Sequence, residues 1–233
     1  MLESGQLEIA KNRRKFMNIA IDGPAGAGKS TVAKKIASTL GITYLDTGAM
    51  YRAVALYMLN NDISVLDADA VAKNMVNVSI DIRYIDEVQH VFLNGEDVSS
   101  QIRQHHVSQA ASDVSKHTVV RQKMVQLQQS IASNINVIMD GRDIGSVVLP
   151  NAEHKFYLTA TAEVRAQRRY DELIEKGQQV DYDELLADIK KRDYNDTHRE
   201  NSPLIVSEGA IVVDSSNMNV NEVVEFILSK INA

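Results

Sequence analysis

Residues Gly23-Pro24-Ala25-Gly26-Ala27-Gly28-Lys29-Ser30 set a glycine-framed loop directly ahead of a lysine and a hydroxyl. The order fits G-x-x-x-x-G-K-[ST], the P-loop pattern for a polyphosphate. Such a loop turns consecutive backbone N–H groups inward around an anion. Lys29 is placed to reach the β- and γ-phosphates, and the Ser30 hydroxyl to ligate Mg²⁺. The context agrees. Residues 17–21 are an apolar run that reads as a buried strand, and residues 31–40, opening on Thr31, read as a helix. The N-terminus of that helix adds its dipole and unpaired N–H groups to the anion site. A glycine-rich turn that binds nothing would not need lysine, hydroxyl and flanking elements to coincide. The loop implies a nucleoside triphosphate. It is silent on what receives the phosphate.

Phosphoryl transfer is mostly positioning and charge neutralisation, so a kinase for a small acceptor needs a second anion site and arginines that close over both. Three groups of residues are candidates. In Asp46-Thr47-Gly48-Ala49-Met50-Tyr51-Arg52, a strand ends at Asp46, Thr47 can cap the next helix, and Tyr51 and Arg52 lie one turn along. Arg52 is then placed to fork two phosphate oxygens. An ordinary N-cap followed by an exposed arginine fits the spacing equally well. In Asp140-Gly141-Arg142-Asp143, a strand ends and opposite charges meet a turn. Asp140 could hold Mg²⁺ through water, Arg142 could grip a phosphate, and Asp143 could accept from a base amine. The competing reading is a surface Arg–Asp pair of little worth. Third, Arg165, Arg168 and Arg169 share a helix face, and Arg192 and Arg199 share one if their helix runs through Asn195 and Asp196. Two charged helices hinged at Gly177 fit a mobile lid that brings arginines to the triphosphate. They also fit a solvated helix pair. Ser112 and Arg121 carry little signal alone. The six histidines show no metal-ligand spacing, and His105 and His106 read as surface residues.

These groups need a scaffold that brings strand ends together. Strand patterns fall at residues 42–45, 136–139, 154–158 and 210–213, and helix patterns at 47–59, 68–76, 161–176, 182–194 and 219–231. The alternation predicts an α/β fold with a parallel sheet covered on both faces. Ligands then bind beyond the carboxyl ends of the strands. The P-loop, Asp46, Asp140 and Thr159 all fall there. Residues 78–98 alternate differently and include the turn signal Asn94-Gly95, which predicts a small antiparallel insertion. Helices resume near residue 104 with a break at His117-Thr118.

At 233 residues and 44% hydrophobic content, the chain suits one large domain with insertions. No apolar run approaches the roughly 18 residues of a membrane span, and residues 1–16 lack the apolar stretch of a signal peptide. Those residues read as an extension or a remnant of cloning, with Met17 a sensible start. Their basic cluster, Lys11, Arg13, Arg14 and Lys15, reads as a solvated tail rather than an anionic-surface anchor. The absence of cysteine excludes disulfides, thiolate nucleophiles and cysteine-bound zinc, and fits a cytoplasmic location. A net charge of −6 argues against broad nucleic-acid binding, so basic residues must be concentrated where substrate phosphates sit.

The P-loop, Asp46-Thr47-Gly48-Ala49-Met50-Tyr51-Arg52 and Asp140-Gly141-Arg142-Asp143-Ile144-Gly145, in that order, resemble the bacterial cytidylate kinase family. Asp188-Ile189-Lys190-Lys191-Arg192-Asp193, Arg199 and Pro203-Leu204 extend the resemblance, which runs from Met17 to the C-terminus. It implies a P-loop nucleoside monophosphate kinase core over residues 17–233, with an acceptor-domain insertion at about 60–117 and a helical lid at about 165–199. The implied reaction moves the γ-phosphate of ATP to CMP or dCMP with Mg²⁺, in a monomer that engages neither nucleic-acid polymer nor membrane. Residue by residue, the resemblance gives the donor site to Gly23 through Thr31 together with Arg168. It gives the acceptor site to Thr47, Tyr51, Arg52, Ser112, Arg121, Arg142, Asp143, Arg192, Asp196 and Arg199. Lys29, Arg142, Arg168 and Arg192 are the expected catalytic groups, with Ser30 and Asp140 at the metal. A P-loop kinase for UMP or a sugar, and a nucleotide-binding regulator without turnover, are the competing readings. Intact Lys29 and the arginine set speak against the latter.

Overall fold

The computed structural model describes residues 16–232. The tail assigned to residues 1–16 and its basic cluster therefore lie, apart from Phe16, outside the described residues.

The chain opens with β1 (Asn18–Asp22), and α1 (Lys29–Leu40) follows the P-loop. β2 (Thr43–Asp46) runs straight into α2 (Thr47–Asn60). After α3 (Ala68–Asn74) comes the insertion: β3 (Ile80–Ile85), β4 (Val88–Leu93) and the short β5 (Glu96–Asp97). The helices α4 (His105–Val114) and α5 (Thr118–Ala132) lead to β6 (Val137–Gly141). A single π-type turn at Ile144–Val148 precedes β7 (His154–Thr159). The paired helices α6 (Ala162–Glu175) and α7 (Tyr182–His198), then β8 (Ile211–Asp214) and α8 (Val220–Ile231), complete the described chain.

Five strands form one parallel sheet in the order β2-β6-β1-β7-β8. Its central strands are apolar throughout because both faces are covered. Alternate residues feed opposite sides. Ala20, Val137 and Met139 join the core under α2, α4 and α5, whereas Ile19, Ile21 and Ile138 join the core under α1 and α8. Each fully buried large side chain of this kind stabilises the fold by about 1.5–3 kcal/mol. The strand order reverses at the centre. From β1 the chain crosses towards β2, and from β6 it crosses the other way to β7. Neighbouring strands whose connections leave in opposite directions open a crevice beyond their carboxyl ends. The P-loop follows one and Arg142-Asp143 follows the other.

The insertion is antiparallel as expected, with Asn94-Gly95 turning β4 into β5. The β3–β4 turn, Asp86-Glu87, has positive φ at both residues (49° and 63°), the mirror-image turn geometry suited to twisted hairpins. The hairpin reaches the main sheet through side chains. Tyr84 OH donates to Tyr44 O at 2.8 Å. The Gln89 amide accepts from Asp46 N at 2.7 Å and donates to Asp46 O at 3.2 Å.

One expectation about capping is corrected. Thr47 does not cap α2; Asp46 does, its carboxylate accepting from Ala49 N at 2.9 Å. Asp46 also ends β2 in extended backbone, the conformation an N-cap needs. Thr47 is thereby free to donate to Asp140 O at 2.7 Å. The α7 helix runs unbroken through Asn195 and Asp196, so Arg192 and Asp196 share one face, with Arg199 at its end.

Candidate active site

One half of the candidate site is the P-loop between β1 and α1. Gly23 has φ of 147°, and a Cβ there would collide with the Leu158 carbonyl of β7, so only glycine permits this approach. Pro24, Ala25, Gly26, Ala27 and Gly28 carry the loop to Lys29, whose side chain is buried and donates to Pro24 O at 2.7 Å. Burial, and next the nearby charge of Arg142, push the Lys29 pKa down to about 7. The Ser30 hydroxyl donates to one Asp140 oxygen at 2.8 Å, and Tyr44 OH donates to the other at 2.8 Å. Burial, then the neighbouring Asp46, raise the Asp140 pKa. Thr31 lies exposed in the first turn of α1.

Ser30 and Asp140 form a hard oxygen pair at the mouth of the loop. No group of three or more His, Cys, Asp or Glu that could hold a metal occurs among the described residues. That donor set fits Mg²⁺, which characteristically takes few protein oxygens and fills its sphere with water and substrate phosphates.

A second cluster gathers arginines from four elements. Arg52 on α2 pairs with Asp46 at 2.7 Å. Arg121 on α5 is buried against Asp143, donates to Ser115 O at 3.2 Å and lies 5.6 Å from the Tyr51 ring centre. Arg142 donates through Nε to Asp196 at 2.8 Å and through Nη1 to Gly141 O at 3.3 Å. Arg199 donates to Ser202 O at 2.7 Å and sits 4.0 Å from Asp196. Arg192, on α7, feels Arg142 and Arg52. Burial, then Arg142, push its pKa down to about 10. Asp196 is the counter-charge for this group. Burial alone would raise its pKa, but Arg142, Arg192 and Arg199 overrule it and hold the carboxyl below its ordinary value. Ser112 lies half-buried on α4, one turn before the Ser115 carbonyl that accepts from Arg121.

Buried donors without partners mark this cluster. Among the described residues, the buried side-chain polar atoms lacking a hydrogen bond are Asn18 Oδ1, Arg52 Nε, Arg121 Nε, Arg192 Nε and Arg199 Nη2. All but the first are guanidinium nitrogens of residues assigned above to the acceptor site. A buried unsatisfied donor costs about 1–3 kcal/mol, more when charged. A guanidinium edge left open in this way matches the paired oxygens of a carboxylate or a phosphate.

The arginines of α6 divide in a way spacing did not reveal. Arg165, almost wholly buried, donates to Ala25 O of the P-loop at 3.0 Å, to Ala160 O at 2.9 Å, and in bidentate fashion to Asp193 at 3.0 and 2.6 Å. Arg168 donates instead to Ser215 O at 2.7 Å and Ser215 Oγ at 3.2 Å, in the loop after β8. Arg169 pairs with Glu172 on its own helix. Of the three α6 arginines that sequence spacing offered to the triphosphate, Arg165 is the one that meets the P-loop; sequence reasoning did not assign a site role to Asp193, Tyr44 or Asp22. Asp22 had the same signal as Asp46 and Asp140, an acid at the end of a core strand.

The family model for cytidylate kinase matches residues 19–233. The chain is 56% identical to the cytidylate kinase of Caldicellulosiruptor bescii, over 92% of this chain and 95% of that protein. It is 51% identical to the cytidylate kinase of Caldanaerobacter subterraneus subsp. tengcongensis, over 92% of this chain and 94% of that protein. Among solved structures, an uncharacterized protein from Eubacterium ventriosum shares the fold, with a TM-score of 0.50 at 14% identity over 93% of this chain and 99% of that one.

Proposed function

The chain belongs to the cytidylate kinase family, and from that premise we infer that it transfers the γ-phosphate of ATP to CMP or dCMP, giving CDP or dCDP and ADP. A phosphate oxygen of the acceptor nucleotide forms a bond to the γ-phosphorus while the bond to the β–γ bridging oxygen breaks, and ADP leaves with the electron pair. The attacking oxygen is already ionised, so the chain need not supply a strong base. Its work is to hold two polyanions in line and neutralise their charge.

The observation that carries this reading is the set of unpaired guanidinium donors on Arg52, Arg121, Arg192 and Arg199 beside the P-loop. Those of Arg52 and Arg192 supply a second anion site where an acceptor phosphate is required, and those of Arg121 and Arg199 are open to the rest of the acceptor. In this reading Gly23 through Thr31 wrap the triphosphate, and Lys29 swings from Pro24 O onto it. Ser30 and Asp140 would hold Mg²⁺, which when bound supplies further neutralisation of the donor phosphates. Arg142, Arg192 and Arg52 take the acceptor phosphate, with Arg168 on the donor side. Thr47, Tyr51, Ser112, Arg121, Asp143, Asp196 and Arg199 bound the acceptor's base and sugar. Asp143 accepts the cytosine amine through the oxygen that Arg121 leaves. The insertion around residues 60–117 serves as acceptor domain, and α6 with α7 as lid.

No helix among the described residues is long and apolar enough to cross a membrane. With nucleotide substrates and no cysteine, a cytoplasmic monomer that engages no nucleic-acid polymer is the matching state. A coupled assay for ADP release, run across CMP, dCMP, UMP and simple sugars, tests the reading. Preference for CMP or dCMP is expected. ADP release with UMP or a sugar alone would reassign the acceptor, and none with any acceptor would leave a nucleotide-binding regulator. Light scattering in solution tests the monomer.

A further inference from the structure

Asp22 belongs to neither phosphate cluster, yet it joins them. It is the last residue of β1, directly before Gly23, and is 2% exposed. One carboxylate oxygen accepts from Ile144 N at 2.8 Å and the other from Gly145 N at 2.7 Å. Those residues follow Arg142-Asp143 immediately. The β1–β6 ladder ends where Asp22 meets Gly141. Beyond that pair no backbone ladder fixes the separation of the two loops. The Asp22 side chain takes over at that point.

The local chemistry is selective. Only an ionised carboxylate offers an acceptor to both N–H groups; an asparagine offers one oxygen and sets an NH₂ against the other donor. The ionised form is kept at a cost, because burial pushes the Asp22 pKa up to about 6. Gly145 is matched to it. A Cβ there would lie 2.5 Å from Ser207 Oγ and 3.3 Å from the Asp22 carboxylate. A fixed bracket therefore spans from the start of the donor loop to the segment carrying Arg142 and Asp143.

We propose that Asp22 is a positioning residue that sets the separation of the donor loop from the Arg142-Asp143 segment, and with it the in-line alignment of the two reacting groups. The proposal rests on the kinase reading above. Misplacing reacting groups by about 1 Å costs about 100-fold in rate, whereas each nucleotide bound alone uses only its own half of the site.

The test uses the full chain with Asp22→Asn, Asp22→Glu and Gly145→Ala. Turnover of CMP is measured with the separate equilibrium affinities for ATP and CMP. The expected result is a fall in kcat of about 100-fold, with both affinities within about threefold of wild type. Asp22→Glu keeps the charge and moves it by one methylene, so it should lose turnover as well. Full turnover in Asp22→Glu would give Asp22 a charge role towards Lys29 and overturn the proposal. A kcat near wild type in Asp22→Asn and Gly145→Ala would also overturn it. So would affinities that fall as far as kcat, or failure of both variants to fold, because Asp22 would then serve only the fold. Wild-type turnover, measured alongside, tests the kinase reading separately.

Discussion

ATP binding at alkaline pH should take up a proton, and Lys29 should be the group that receives it. In the free protein its ammonium is buried beside Arg142, which lowers its pKa to about 7. A triphosphate in the loop reverses that balance and returns the lysine towards its ordinary value of about 10.4. The free state is therefore the less protonated one between those values. At pH 8 only about a tenth of free Lys29 is charged, so binding takes up about 0.9 proton; at pH 6 the uptake falls to about 0.1. The same linkage weakens binding as pH rises, by about 2.7 kcal/mol, or roughly 100-fold in Kd, at pH 9 relative to a fully charged lysine. Calorimetric titration of Mg²⁺–ATP in buffers of different ionisation enthalpy reads the proton count directly. Arg142→Ala should raise the free-state pKa and shrink the uptake. A wild-type uptake below about 0.2 proton at pH 8 would refute the reasoning, as would an equal uptake in Lys29→Met.

Arg142→Ala should lower kcat/KM for CMP by about 100-fold or more while leaving KM for ATP within about threefold, because it removes a fixed cation at the developing charge; steady-state kinetics in each substrate check this. Asp143→Asn should lower the CMP-to-UMP ratio of kcat/KM, since a carboxylate only accepts and the uracil edge offers a carbonyl instead of an amine. An unchanged ratio would mean that Asp143 acts by holding Arg121, its buried partner. Gln89→Ala removes both hydrogen bonds to the Asp46 backbone, contacts worth about 1–3 kcal/mol together. Through Asp46 and Arg52 it should raise KM for CMP about tenfold and leave that for ATP unchanged, as initial-rate measurements would show.

The sheet was legible in the sequence because a buried parallel strand writes itself as an unbroken apolar run; β1 and β6 were placed within one or two residues. The P-loop was legible because its chemistry is local. Contacts made across the fold were harder to read. Helical spacing puts Arg165 and Arg168 on one face but does not say which meets the P-loop, since that depends on where α6 crosses it. Asp46 ends its strand as expected, but Asp and Thr both cap well, so spacing alone does not say which of Asp46 and Thr47 caps α2; the bond from Ala49 N to Asp46 and that from Thr47 to Asp140 O, between residues far apart in sequence, decide it. Asp86-Glu87 gave no turn signal because neither residue is glycine or asparagine. The role of Asp22 was not legible because its partners, Ile144 N and Gly145 N, lie 122 and 123 residues away along the chain.

The hairpin of the insertion has a second consequence, for solubility during folding. β2 is the outermost strand on its side of the sheet. Thr43 N bonds inward, to Asn136 O, so alternation turns the peptide groups of Tyr44 and Asp46 outward. A bare row of this kind is a template for a strand from another molecule. Tyr84 occupies the Tyr44 carbonyl, and Gln89 occupies both groups of Asp46. These two side chains thus do what an added strand would do, without leaving a new edge for a further one. A chain whose hairpin has yet to form, or has been shortened, presents that row uncovered, and its aggregation should rise with concentration even where its sheet is intact.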